Sequence, residues 1–142
     1  MAHKPIFMGT TKIDAAKTAG EIMRVLVASG ARQIASEYNA AGEIKGLRFS
    51  INASGCDLAF ALPIRVDALL KHFRNDKAQA NRVAWRQLLR WVQAQLAMIE
   101  VGMVRAEEVY VPYMLQPGTG QTLFEVMSAS KFKQITAGEQ NV

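Results

Sequence analysis

A single cysteine, Cys56, in 142 residues rules out an intramolecular disulfide and any cysteine-rich zinc site. The simplest setting for such a chain is a reducing, cytoplasmic one. Histidine is nearly as scarce: His3 and His72 are the only two, and His3 falls in the irregular start of the chain. A histidine-based triad or zinc centre therefore finds no support. Neither G-x-x-x-x-G-K-[ST] nor G-x-G-x-x-G occurs, and the glycines read as turn and cap residues. No window approaches the roughly 18 apolar residues of a membrane span. The opening "MAHKPIFMGTTKID" is too polar for a signal peptide. These absences predict a soluble, cytoplasmic protein and single out no catalytic residue, metal or cofactor.

What is present is apolar material and positive charge. Hydrophobic residues make up 50% of the chain, enough for one domain with a core of its own. Lys and Arg number 17 against 12 acids, a net charge of +5. Such a balance favours a polyanionic partner through phosphate neutralisation and counterion release, although many small soluble proteins are equally basic without one.

The pattern along the chain predicts an α+β fold: an N-terminal helix, a three-stranded antiparallel meander, a short helix, a long amphipathic helix and an irregular tail. Residues 1–17 lack a sustained period and read as an arm. Residues 18–135 read as one domain, and residues 136–142 as a frayed end. Thr18 and Glu21 have the T-x-x-E spacing of a capping box, with Asp14 the less favoured start. Ile22, Val25, Leu26 and Ser29 follow on one helical face, and Gly30 suits the left-handed end. "NAAG" and "NASG" suggest two similar hairpin loops, each a type I turn closed by glycine. Between them Leu47, Phe49 and Ile51 alternate with Arg48, Ser50 and Asn52. Beyond the second loop, Cys56, Leu58, Phe60 and Leu62 are expected inward. Before the first loop, Ile34 and Tyr38 supply the apolar positions. Val66, Leu69, Leu70 and Phe73 mark the short helix, and "PGTG" marks a turn in the tail. Tyr110, Val111, Tyr113, Met114 and Leu115 could form an extended segment, and Leu123, Phe124 and Met127 a last helical turn or two.

The long helix is expected to run to about Gly102. Trp85, Leu88, Leu89, Val92, Leu96, Ile99 and Met103 share its main stripe. Ala84, Trp91, Met98 and Val101 lie on an adjoining flank. That flank must be covered either by the arm and tail or by another copy of the chain, with Trp91, Met98 and Val101 at the contact. On the polar side Arg82, Arg86 and Arg90 follow at four-residue intervals with no acid between them. Such a ridge could lie along a phosphate backbone. The alternatives are a solvated face or ion pairs with Asp76, Glu107 or Glu108.

Glu43 and Lys45 have the E-x-K spacing of some metal-dependent nucleases, which also need a second acid such as Glu37 or Asp57. The order helix, three strands, helix over residues 18–74 is similar to the double-stranded-RNA-binding domain. The basic cluster expected at the start of that family's second helix is replaced here by "PIRVDALL". "RVAWRQLLRWVQAQLAMIEVGMV", "EEVYVPYMLQ" and "GQTLFEVM", within residues 82–127, resemble small uncharacterised phage and prophage accessory proteins. That resemblance implies a mobile-element protein acting on nucleic acid or on host defences.

Three readings follow. The first is a nucleic-acid-binding protein that uses the net positive charge, contacting phosphates through Arg82, Arg86 and Arg90 with help from Arg48 or Lys45. The second is an interaction or inhibitor protein that uses its apolar helix flank on itself, as a homodimer, or on a host protein. The third is a nuclease around Glu43 and Lys45.

Overall fold

A computed structural model describes residues 5–133. His3 and the expected frayed end lie outside these residues. The elements are α1 (Ala15–Ala28), β1 (Ala31–Tyr38), β2 (Ile44–Ala53), β3 (Cys56–Ala61), α2 (Asp67–Leu70), α3 (Lys77–Glu100), α4 (Ala106–Tyr110) and α5 (Leu123–Ala129). A 3-10 turn, Lys71–Phe73, extends α2, and another, Val111–Tyr113, extends α4. Among the described residues no helix is long and apolar enough to cross a membrane.

The α+β fold is as the sequence predicts, with an antiparallel sheet in the order β1-β2-β3. Alternation along β2 places Leu47, Phe49 and Ile51 in the core, while Arg48 and Asn52 are exposed. Phe60 and Leu62 are buried as expected. Cys56 is not: it opens β3 beside the hairpin loop and is exposed, because the strand's first residues lie beyond the reach of the covering helices. Tyr38, at the far end of β1, is also exposed.

The two loops differ in kind. At the first, Asn39 Oδ1 accepts from the amides of Ala41 and Glu43 at 3.0 Å each, and Gly42 closes the turn at φ 81°. At the second, Ala53 pairs with Cys56, leaving Ser54 and Gly55 as a two-residue loop. Both have positive φ, 54° and 82°, which is the type I′ geometry that matches sheet twist. The expected second copy of the first turn is thus replaced by a tighter one.

α1 begins three residues before the predicted cap. Asp14 is its N-cap residue, and the Thr18 amide already donates to the Asp14 carbonyl. Ala15 and Ala19 are buried, so the helix has an apolar face to bury from its first turn. The arm is correspondingly shorter and is held on α3. Gln79 Nε2 donates to the carbonyls of Gly9 (2.8 Å) and Thr11 (3.1 Å), and Gln87 Nε2 to that of Phe7 (2.8 Å).

One core joins α1, the inner face of β2 and β3, α3 and α4. The expected stripe of α3 is buried at Trp85, Leu88, Leu89 and Val92 but only half-buried at Leu96 and Ile99. Met103, past the helix end, is 69% exposed. The end itself is a left-handed closure: Gly102 has φ 79° and the Met103 amide donates to the Met98 carbonyl.

The tail departs from its predicted extended form. Tyr110 sits at the end of α4, and Val111 and Tyr113 lie in the 3-10 turn. Only Met114 and Leu115 are extended. Met114 bridges Phe60, and the Leu115 amide donates to the Ala59 carbonyl at 2.7 Å, so the tail lies on the outer edge of β3. "PGTG" is a turn, its glycines at φ 80° and 70°.

Candidate nucleic-acid interface

The three arginines of α3 do not form one open ridge. Arg82 Nε donates to Gln79 Oε1 at 3.1 Å, on the side of the helix that carries the arm. Arg86 is buried, 8% exposed. Its Nη1 donates to Thr18 Oγ1 (3.2 Å) and Glu21 Oε2 (3.0 Å), which ties α1 to α3. The expected solvent-facing orientation therefore fails for Arg86, because α1 covers that part of the helix. Neither Asp76, Glu107 nor Glu108 is its partner: Asp76 caps α3, Glu107 pairs with Arg105, and Glu108 accepts from the Arg105 amide. Arg90 is exposed and donates to Gln93 at 2.8 Å.

Arg48 lies on the outer face of the sheet, opposite the helices, where it pairs with Glu37 at 3.3 Å. It lines a shallow hollow of about 580 Å³ with Gln33, Ser50, Ala59 and Leu115. It cannot share a surface with Arg90, since the sheet separates them. Lys45 would point inward by strict alternation. The pairs Glu37–Gly46 and Tyr38–Ile44 leave it as the extra residue of a β-bulge, and it is exposed.

The bulge turns Lys45 toward a groove of about 600 Å³ between the first hairpin, α2 and the start of α3. Arg65 and Lys77 line the same groove, with Glu43, Asp67 and Asn81. Its floor includes Ile44, Ile64 and Leu70. Next to it, Lys71, His72 and Arg74 are all exposed. Two consecutive left-handed residues, Arg74 (φ 53°) and Asn75 (φ 63°), reverse the chain here. Asp76 then caps α3, its carboxylate accepting from the Gln79 amide at 3.1 Å. The result gathers Arg65, Lys71, Arg74 and Lys77 at one corner, beside the positive end of a 24-residue helix. None of the four is in an ion pair among the described residues; Arg65 does act at longer range on Glu125. The α3 reading overlooked this corner. The signal was available as "RVDALLKHFRNDK", with four cations and a histidine against two acids.

The expected second acids of the E-x-K pair are engaged with other side chains. Glu37 holds Arg48, and Asp57 accepts from Asn52 at 3.0 Å. Glu43 accepts from Asn39 Nδ2. Among the described residues no three of His, Cys, Asp and Glu stand together as metal ligands.

The apolar flank of α3 is divided. Ala84 is buried, and Trp91 is half-buried with its ring edge-on to Tyr110 (6.0 Å) and Tyr113 (5.8 Å). The tail covers this part, as one of the two expected arrangements had it. Met98 is half-buried, and Val101 is 70% exposed. Beneath Trp91, Tyr110 joins Phe49 and Phe60 in an aromatic cluster. Burial pushes the Tyr110 phenol above its usual range, and the neighbouring Ser29 hydroxyl partly offsets this. Ser29 itself donates to Val25, and the phenol has no hydrogen bond of good geometry.

Comparison with known protein families, with curated proteins and with solved structures finds no match for this chain.

Proposed function

We propose that this chain binds nucleic acid through phosphate contacts at the α2–α3 corner. The observation that carries the reading is the groove shared by Lys45, Arg65 and Lys77, cations that make no ion pair among the described residues. Lys71 and Arg74 extend the positive surface beyond it. A phosphate backbone laid there would neutralise like charges that the fold itself leaves together. The outer sheet face around Ser50, Ala59 and Ala61 offers no aromatic platform for stacking bases. Contacts are therefore to backbone rather than base, and binding depends weakly on sequence. The setting we propose is that of a phage or mobile-element accessory protein, supported by the resemblance across residues 82–127.

The test is retardation of DNA and RNA across a salt series. Replacing Lys45, Arg65 and Lys77 together with Gln should lower the slope of log affinity against log salt by about two to three. Arg90→Gln, outside the groove, should leave the slope unchanged. Absence of retardation at low salt overturns the reading, as does an unchanged slope in the triple variant.

A second reading, a protein-interaction or inhibitor function, is favoured by the far end of α3. Val101 and Met103 are 70% and 69% exposed there, beside half-buried Met98 and Ile99. Such adjoining apolar side chains suit a protein partner. Loss of capture of a candidate host protein on Val101→Lys, with nucleic-acid binding intact, would separate the two.

A further inference from the structure

The two edges of the sheet are treated differently. The β3 edge is met by the tail, through the Phe60–Met114 bridge and the Leu115 amide. Beyond β1 there is no further strand among the described residues. Residues 33–37 pair regularly with β2, and the irregularities fall outside them, at Ala31/Gln33 and Glu37/Tyr38. β1 contains neither proline nor lysine, two residues by which natural edge strands refuse a partner.

α1 continues this open side. It packs on β1, on β2 and, most extensively, on α3. Ala15, Ala19, Ile22 and Leu26 are its buried face, and Thr18 and Glu21 meet Arg86 of α3. At about 100° per residue, Ala16, Gly20, Met23 and Val27 form a separate stripe, on the flank opposite the Thr18 and Glu21 side that meets Arg86. Ala16, Gly20 and Met23 border a hollow of about 310 Å³ with Tyr38. A Cβ on Gly20 would meet nothing within 4 Å, so the middle of the flank is low and open. Val27 and Tyr38 are 60% and 57% exposed. An unpaired strand edge and an apolar helix flank therefore adjoin on one side of the molecule.

We infer that this side is where two copies of the chain associate, pairing β1 with β1 antiparallel and laying the two α1 flanks together above the joined sheet. The occupant follows from charge and symmetry. β1 carries Arg32 near its start and Glu37 near its end. Antiparallel pairing centred on Ala35 sets Gln33 opposite Glu37 of the partner subunit, with Arg32 next to that pair. The two-fold axis repeats the arrangement, which keeps the two Arg32 side chains apart and the two Glu37 carboxylates apart, each Glu37 staying with Arg48 of its own chain. Parallel pairing would oppose like charges. Same-face parity holds as well: Ile34 meets Ser36 of the partner subunit on the inner face, and the half-buried Ile34 loses its remaining exposure. Strand pairing alone is smaller than the roughly 1,200 Å² of a stable interface, and the α1 flank supplies the added apolar area.

Sedimentation and amide exchange test this. The chain should run at about twice 15.6 kDa at high concentration, and amides of residues 33–37 should exchange more slowly there than in dilute solution. Gly20→Arg and Val27→Lys each place a cation in the contact. Neither should disturb the fold, since both positions are open and both replacements suit a helix, and unchanged circular dichroism checks this. Each should weaken association at least about tenfold. A monomer at every concentration overturns the inference. So does a dimer indifferent to both variants, or one dissociated by Val101→Lys, which would place the contact at the end of α3.

Discussion

Arg86 carries its charge into the seam between α1 and α3, where Thr18 is fully buried and Glu21 partly so. A guanidinium there is stabilised by the carboxylate and hydroxyl that meet it, and removing it leaves both without their donor. Arg86→Gln should therefore cost about 2–4 kcal/mol in urea denaturation. Arg90→Gln, one turn further on and exposed, should stay within about 0.5 kcal/mol of the parent. Equal small effects would mean that the Glu21–Arg86 pair contributes little to the seam. The same contrast bears on function: of two arginines four residues apart, one belongs to the core and the other to the surface.

At the scale of elements, period was the legible signal and context the illegible one. Leu47, Phe49 and Ile51 announced β2 because a half-buried strand must alternate. Among the described residues the T-x-x-E signature occurs twice, and these two instances behave differently. Thr18 and Glu21 lie inside α1, because buried Ala15 and Ala19 extend its apolar face upstream. Thr122 and Glu125 are a capping box in fact, following a glycine-bearing turn. Nothing within either tetrapeptide separates the two. The arginine spacing on α3 was equally plain in sequence, but its exposure depended on where α1 docks, from more than sixty residues away. The groove at the α2–α3 corner depended on a bulge at Lys45 that alternation does not reveal. The Thr122 cap also gives α5 a pH dependence. The Thr122 backbone amide, then its hydroxyl, and more distantly Arg65, hold the Glu125 carboxyl below its ordinary value of 4.5. A carboxyl depressed in the folded state stabilises it above the ordinary carboxylate range and loses that contribution as pH falls through the depressed value. Amide protection in α5 should accordingly decline in acid before that of α3 does. Glu125→Gln, which keeps a capping acceptor, should flatten the decline; an identical acid profile in the variant would assign it to other groups.

For the whole molecule, the small contact of the tail with β3 decides whether association can ever be endless. A sheet with a single open edge is satisfied once it meets another like itself, and growth halts there. With both edges open, each added chain presents a fresh template, and the product is a fibre. The guard on the second edge is narrow: the Leu115 amide and the bridge at Met114. Leu115→Pro deletes that amide, and Met114 is already extended, with ψ 126°, as a residue before proline must be. Light scattering of this variant should climb steadily with time at concentrations where the parent holds one size, and the growing species should bind thioflavin. A variant that keeps the parent's size would show that the tail is not what limits growth. If scattering climbs, a few residues near the C-terminal end of the described chain are what keep a self-adhesive sheet finite.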